Sequence, residues 1–363
     1  MNGGASQDTW DRARAYQAAF AARGAVVTDA DVLQPAAILL DLYGEDIRAR
    51  AFTTADPLRG EQMLRPDFTV PVVQRHMSQG VEPARYTYAG KVFRKQERDE
   101  SRPTEYVQVG YEVFDGSDPA AADAEVFCTL NDLLQGVSVT PATGDIGILR
   151  AAVLGLKTTE RRKAALLRHL WRPRRFKALL DRFGGRVAPP ATRVALLAQA
   201  DPMAEMPPLL GLRTPREIAL RIEALREDAA TAPVSGTELD LIEGLLAVRA
   251  TMPNALTILR DLSVDLPTIG TAVDGLIRRT EALDARGIAV DSLPFEAAYG
   301  RTSMEYYDGF VFGFYATDHP ELPPLATGGR YDALTTVLGN GTGVPAVGGV
   351  IRPDLVAQVE GRR

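Results

Sequence analysis

Along the chain the spacing of apolar positions switches between the helical and the extended period, and the switches mark out its elements. From about Thr9 to Arg23, Trp10, Ala13, Tyr16 and Phe20 recur at helical spacing, and Gly24 supplies a stop. Pro35 then stands between a short extended piece and a second apolar helix. A proline can open a helix there because no needed donor is lost. Arg85 to Arg94 and Glu105 to Phe114 are rich in aromatics and valine and predict two paired antiparallel strands. Lys95 to Thr104 between them is mostly charged, and so long a loop on a rigid hairpin points to function.

After Asp118 the pattern is helical, with Asp123 and Glu125 near the start, where the helix dipole favours acids. The stretch GDIGIL (Gly144 to Leu149) predicts a further strand. From Lys157 to about Leu283 the periodicity is almost wholly helical, broken at Pro173, Pro207, Pro208, Pro233 and Pro253, which reads as a helical insertion between two parts of one sheet. Strand character returns at Ser303 to Ala316, where alternation puts Tyr307, Gly309, Val311 and Gly313 on one face, and glycines there admit a ligand or another backbone. A glycine-rich run from Ala326 to Val356 follows. Its TGGRYDAL stretch predicts a turn into a helix from about Tyr331 to Leu338, whose N–H groups could hold an anion.

Composition narrows the class. With 363 residues, 45% hydrophobic and 24% charged, the chain suits one large or two smaller globular domains. No apolar run is long enough to cross a bilayer, and charges at Asp8, Asp11, Arg12 and Arg14 break any signal-peptide pattern, so a cytoplasmic location is expected. Cys128 is the single cysteine, which excludes an intramolecular disulfide framework and a cysteine-rich zinc site. The three histidines (His76, His169, His319) stand apart, so no metal cluster is expected. A net charge of −6 disfavours non-specific nucleic-acid binding. Against that background Arg161 to Arg182 holds nine Lys or Arg and one acid, Asp181. It reads first as a solvated amphipathic helix pair, and otherwise as a surface for a protein, a polyphosphate or RNA.

Five segments in order carry a family resemblance. They are LRPDFTVPVVQRH (Leu64 to His76), FRKQERDESRPTEYVQVGYEVF (Phe93 to Phe114), DAEVF (Asp123 to Phe127), MEYYDGFVF (Met304 to Phe312) and GGRYDAL with PAVG beyond it. Together they resemble the catalytic core of class II histidyl-tRNA synthetases over nearly the whole chain, and more closely the synthetase-like regulatory subunits of ATP phosphoribosyltransferase. Pro35 falls where motif one has its proline. The resemblance implies an α+β fold of the class II aminoacyl-tRNA synthetase type, an antiparallel sheet flanked by helices. Residues 1–156 and 284–363 would form the discontinuous core and 157–283 the helical insertion. Only seven residues follow Val356, so no C-terminal anticodon-binding domain is expected.

Carried over residue by residue, the resemblance implies a histidine pocket. Asp67 stands where the synthetase receives the α-ammonium, with Thr69 at the matching spacing. Gln108 and Glu112, four apart on one strand, share a face and can converge on one ligand. Tyr307, beside Tyr306, could reach an imidazole nitrogen together with Glu112. Arg94 and Arg102 remain from motif two, and Gly329 and Arg330 would form the pocket rim. A zwitterion bearing an imidazole needs an acid for its cation and polar groups for both ring nitrogens, which this set provides. Singly, these residues have plainer uses: Asp67 can cap a helix near Thr69, and the tyrosines can be core.

The departures from the synthetase pattern fall on the ATP side, where fixed arginines must meet developing phosphate charge. Gln96 replaces a glutamate and Thr104 an arginine. The catalytic arginine's position falls on Thr302, with Arg301 one residue out of register, and the motif-three arginine's position falls on Leu355, with Arg352 offset by three. The resemblance therefore implies a non-catalytic regulatory subunit that needs no cofactor, activates a short-form catalytic subunit and takes part in feedback inhibition by histidine. Expected partners are that catalytic subunit and a second copy of the chain in a homodimer within a hetero-oligomer, with no tRNA and no membrane. A divergent active histidyl-tRNA synthetase, an amino-acid ligase and a nucleic-acid adaptor using the basic patch are the competing classes.

Overall fold

The computed structural model describes residues 6–43, 47–96, 102–204, 211–301 and 306–361; Thr302, Ser303, Pro207, Pro208 and residues 97–101 of the hairpin loop lie outside them. Its centre is a nine-stranded sheet in the order β1 (Val26–Val27), β5 (Ala84–Phe93), β6 (Glu105–Phe114), β12 (Ala346–Ile351), β11 (Ala326–Arg330), β10 (Phe310–Ala316), β7 (Val139–Asp145), β9 (Pro294–Glu296) and β8 (Arg249–Thr251). Among the described residues only the pairs β1 with β5 and β7 with β9 are parallel. A second sheet joins β2 (Leu33–Pro35), β4 (Gly60–Leu64) and β3 (Thr53–Asp56).

The sequence of β6 fixes what each face does. Alternation sends Val107, Val109, Tyr111 and Val113 to one side and Gln108, Gly110 and Glu112 to the other. The first side packs on α1 (Gln7–Ala22), where Tyr111 stacks on Phe20 at 5.0 Å, and on α15 (Pro353–Glu360). Helix α5 (Pro119–Leu133) joins them, capped by the Asp118 side chain and carrying Glu125, which takes a bidentate pair from Arg85 and the Tyr111 hydroxyl. The second side looks into a cleft bordered by α4 (Thr69–Gln79), while α2 (Ala36–Tyr43) and α3 (Ile47–Arg50) serve the small sheet.

After α6 (Ile146–Gly155), the span expected as a helical insertion, residues 157–283, holds among its described residues α7 (Glu160–Arg168), α8 (Pro173–Phe183), α9 (Ala191–Ala198), α10 (Pro215–Ala230), α11 (Gly236–Ala247), α12 (Met252–Asp265) and nearly all of α13 (Gly270–Asp284), and it lends β8 to the main sheet. Its last helix is tied to the core. Arg279 of α13 is buried, donating to Asp123 on α5 and to Asp145 at the start of α6, at 2.8 Å each.

Three expectations need correction. In GDIGIL only Gly144 and Asp145 are strand: Asp145 accepts from Gly147 N and caps α6, so Ile146 onward turns helical. TGGR is not a turn but the end of β11, because glycines here sit in a ladder between β10 and β12; the helix α14 runs Asp332–Leu338. Among the described residues the strand expected from Ser303 starts at Phe310, and its glycines admit protein, not an open space. The Tyr299 hydroxyl fills the place of a Gly313 side chain, and the Arg330 stem that of Gly309.

Candidate functional site

Asp67, Thr69, Arg94, Gln108, Glu112, Tyr306 and Tyr307 line one cleft of roughly 360 Å³ including its mouth, together with Thr327, Tyr331, Gly348, Gly349 and Val350. Each arrives by a local rule. Asp67 precedes α4 and takes a long, 3.4 Å contact from Val70 N, so its cap role is weak. Thr69 is in the first turn of α4, facing the sheet. Gln108 and Glu112 are alternate positions of β6, and Arg94 follows β5, with its Nε held by the Pro66 carbonyl at 2.8 Å.

Glu112 organises the cleft. It is 1% exposed, and no cation among the described residues meets it; instead Thr69 Oγ1 (3.0 Å) and Tyr88 OH (2.8 Å) donate to Oε1 and Tyr331 OH (2.6 Å) to Oε2. The Tyr306 hydroxyl continues the chain, donating to Thr69 Oγ1 at 3.3 Å. Burial pushes the Glu112 carboxyl up to about 7, against the three hydroxyl donors, with Asp67 adding repulsion. Space for this carboxyl comes from Gly348, its cross-strand partner on β12: a Cβ there would stand 1.5 Å from Glu112 Oε2. Burial beside Glu112 likewise raises the Tyr307 phenol, keeping it a neutral donor. The cleft thus offers buried acceptors (Asp67, Glu112, Gln108 Oε1) and phenol donors, a set suited to a small ligand with its own cation and ring N–H groups.

The remaining sequence candidates lie elsewhere. Arg102 is exposed on the hairpin loop and is not part of the cleft lining. Gly329 stands behind the ring of Tyr307, 2.7 Å from where its Cβ would be. Arg330 is not a rim residue: one position along β11 puts it on the opposite face, where it donates to Asp123, to Asp332 and to the Pro119 carbonyl. Tyr88 and Tyr331 were missed. The hairpin register could have found Tyr88, since Gly110 lies opposite it and leaves its ring room to reach Glu112. Tyr331 stood inside the quoted GGRYDAL segment.

The arginine positions complete the picture. Arg301 points away from the cleft, donating Nε to the Leu170 carbonyl at 2.7 Å with its guanidinium 4.8 Å over Phe176. Leu355 is buried on α15. Arg352 stacks 4.0 Å over Tyr106 and pairs with Asp354, while Arg94 lies 6.0 Å from the same ring.

Fold and cleft define a class II synthetase-like core whose cleft is lined by two carboxyls, Asp67 and Glu112. The histidyl-tRNA synthetase family profile matches residues 20–209 and 216–356. Over nearly its full length the chain is similar to proteins described as ATP phosphoribosyltransferase regulatory subunit. That of Agrobacterium fabrum is 33% identical over 94% of this chain and 95% of its own, and that of Brucella anthropi 32% over the same shares. Among solved structures, an ATP phosphoribosyltransferase regulatory subunit/histidyl-tRNA synthetase from Bacillus halodurans superposes with a TM-score of 0.67 at 21% identity, covering 97% of this chain and 78% of that one. A histidyl-tRNA synthetase from Nostoc gives 0.63 at 14%, covering 100% and 76%. The chain belongs to the family of ATP phosphoribosyltransferase regulatory subunits, built on the histidyl-tRNA synthetase core.

Proposed function

We propose that this chain is the non-catalytic regulatory partner of a short-form ATP phosphoribosyltransferase catalytic subunit, activating it in the cytoplasm, and that histidine bound in the Glu112 cleft drives feedback inhibition. The observation that carries this reading is that acceptors for an amino acid converge in the cleft, while Arg301 turns to the Leu170 carbonyl and Leu355 is buried on α15, so neither position supplies a cation to it. Asp67 suits the α-ammonium, and Glu112 with Tyr307 suits the imidazole. Histidine inhibits only if it binds the inhibited assembly better than the active one, a preference of about 1–3 kcal/mol in typical allosteric systems. A homodimer inside the hetero-oligomer, with no tRNA ligand, completes the proposal.

One observation favours a second reading, an active synthetase or amino-acid ligase. Arg94 lines the cleft, and Arg94 and Arg352 flank Tyr106 close by. One experiment separates the two: phosphoribosyltransferase activity of the catalytic subunit from the same source, with and without this chain, over a histidine titration, beside ATP–pyrophosphate exchange. Activation reversed by histidine without exchange supports the regulatory reading; exchange without activation sinks it.

A further inference from the structure

The basic run between Arg161 and Arg182 is not a uniform patch once folded. Arg162 is buried and spends its guanidinium on Asp228 and on the carbonyls of residues 228, 231 and 232. Arg161 pairs with Glu227, Lys163 with Glu160, and Lys177 with Asp181 and Glu243. What remains is a groove made of two adjoining hollows of roughly 790 and 1090 Å³ that share Arg162, Arg182, Phe183 and Asp228.

Charge in this groove is one-sided. Six arginines line it against a single acid, Asp228, which Arg162 and Arg193 already hold at 2.6 and 2.7 Å. Arg168, Arg182 and Arg221 have no acidic partner within ion-pair distance among the described residues. Arg182 is held below the usual guanidinium range mainly by burial, which the attraction of Asp228 opposes and the repulsion of Arg193 and Arg162 reinforces. The groove walls are aliphatic. Helix α9 carries Val194, Leu196 and Leu197 yet buries none of its residues, and Val187 and Val194 stand 55% and 52% exposed.

We infer that this groove, between α7, α9 and α10, docks an acidic amphipathic helix of the catalytic subunit, whose apolar side lies on α9 and whose carboxylates meet Arg168, Arg182 and Arg221. The inference rests on the regulatory reading above and names its contact surface. A groove between helices that is apolar along its walls and cationic at its rim fits a helix with the complementary faces. RNA fits less well, because the walls offer no exposed aromatic for base stacking and the chain is net −6.

The test uses the full chain and the catalytic subunit from the same source, with binding followed by sedimentation velocity and calorimetry at low and moderate salt. Arg168→Glu with Arg221→Glu, and separately Val194→Glu, change exposed side chains, and circular dichroism checks that both variants fold. Each variant is expected to weaken binding at least tenfold, the arginine pair chiefly at low salt, and hydrogen exchange in residues 191–198 is expected to slow in the wild-type complex. Unchanged binding and exchange in a complex that does form would overturn the groove assignment. So would wild-type self-association, or binding of total tRNA, that the same variants abolish. No complex and no activation with the wild-type chain would instead bring down the regulatory reading itself.

Discussion

Arg301 donates its Nε to the carbonyl of Leu170, so the residue just before the cleft's tyrosine segment is anchored in the helical region and not in the cleft. It is a cation 5% exposed that meets an aromatic ring and a carbonyl, and burial depresses it to about 10. Among the described residues no acid pairs with it; a buried charge without a counter-ion is expensive, and an apolar replacement of similar length is often neutral or stabilising. Arg301→Met is therefore expected to shift stability by less than about 1 kcal/mol, relief of the charge offsetting the lost hydrogen bond. Its anchoring role has a separate readout. Histidine affinity, measured by calorimetry, should fall several-fold if the Arg301 anchor matters to the cleft; a large drop in Tm with unchanged affinity would make Arg301 a structural residue only.

Glu112 gives the protein a signature in pH. Its carboxyl titrates near 7 when folded against about 4.5 when unfolded. Below 4.5 both states carry the proton and nothing is lost. Between those values the folded state keeps a proton that the unfolded state releases, so stability falls as pH rises, and above 7 the cost is complete, on the order of 3 kcal/mol. Glu112→Gln cannot ionise. The stability difference between variant and wild type should grow in favour of the variant from pH 4.5 to 7 and level off above, when unfolding is followed by urea titration at several pH values. The same variant should lose histidine binding if Glu112 receives the imidazole.

Gly348 makes room for that carboxyl. Gly348→Ala places a methyl where Glu112 Oε2 stands, and backbone partners on both sides of β12 prevent the strand from moving aside. Glu112 must swing out of its three hydroxyl donors, so a loss of about 1–3 kcal/mol is expected. Ligand affinity should fall more than tenfold. A variant that keeps wild-type affinity would mean that the ligand does not lie over Glu112.

How far the sequence carried these conclusions depends on the range of each interaction. The period-two pattern of β6 put Gln108 and Glu112 on one face without any knowledge of the fold, because that geometry is local. The class of fold, a largely antiparallel sheet flanked by helices, was likewise legible from five ordered segments. Gly348 was not, since its place opposite Glu112 depends on pairing with the distant β12, and Tyr88 was within reach only through the register of the β5–β6 hairpin. Arg330 was misread for a related reason: adjacent residues of a strand face opposite sides, so a neighbour of Gly329 points to Asp123 and away from the cleft. The basic run could be counted from sequence, but which of its cations were already paired depended on acids of α10 and α11, 66 residues away.

Asp123 is where the helical region, the sheet and α5 meet. At 1% exposure it accepts from Arg279 through Oδ2 and from Arg330 through Oδ1, while Arg279 also reaches Asp145 and Arg330 reaches Asp332. Removing one charge from such a knot leaves others uncompensated in a medium that solvates them poorly, which typically costs about 3–5 kcal/mol. Asp123→Asn keeps the shape and loses the charge, so it is expected to destabilise by that order and to loosen α13 from α5. Asp123→Leu with Arg279→Met and Asp145→Asn removes the charges linked through Arg279, leaves Arg330 its pair with Asp332, and should recover part of the loss. The check is a comparison of urea midpoints for the single and triple variants, together with hydrogen exchange in α13. Equal destabilisation in both would mean that packing around Asp123, not its charge, holds the helical region to the core.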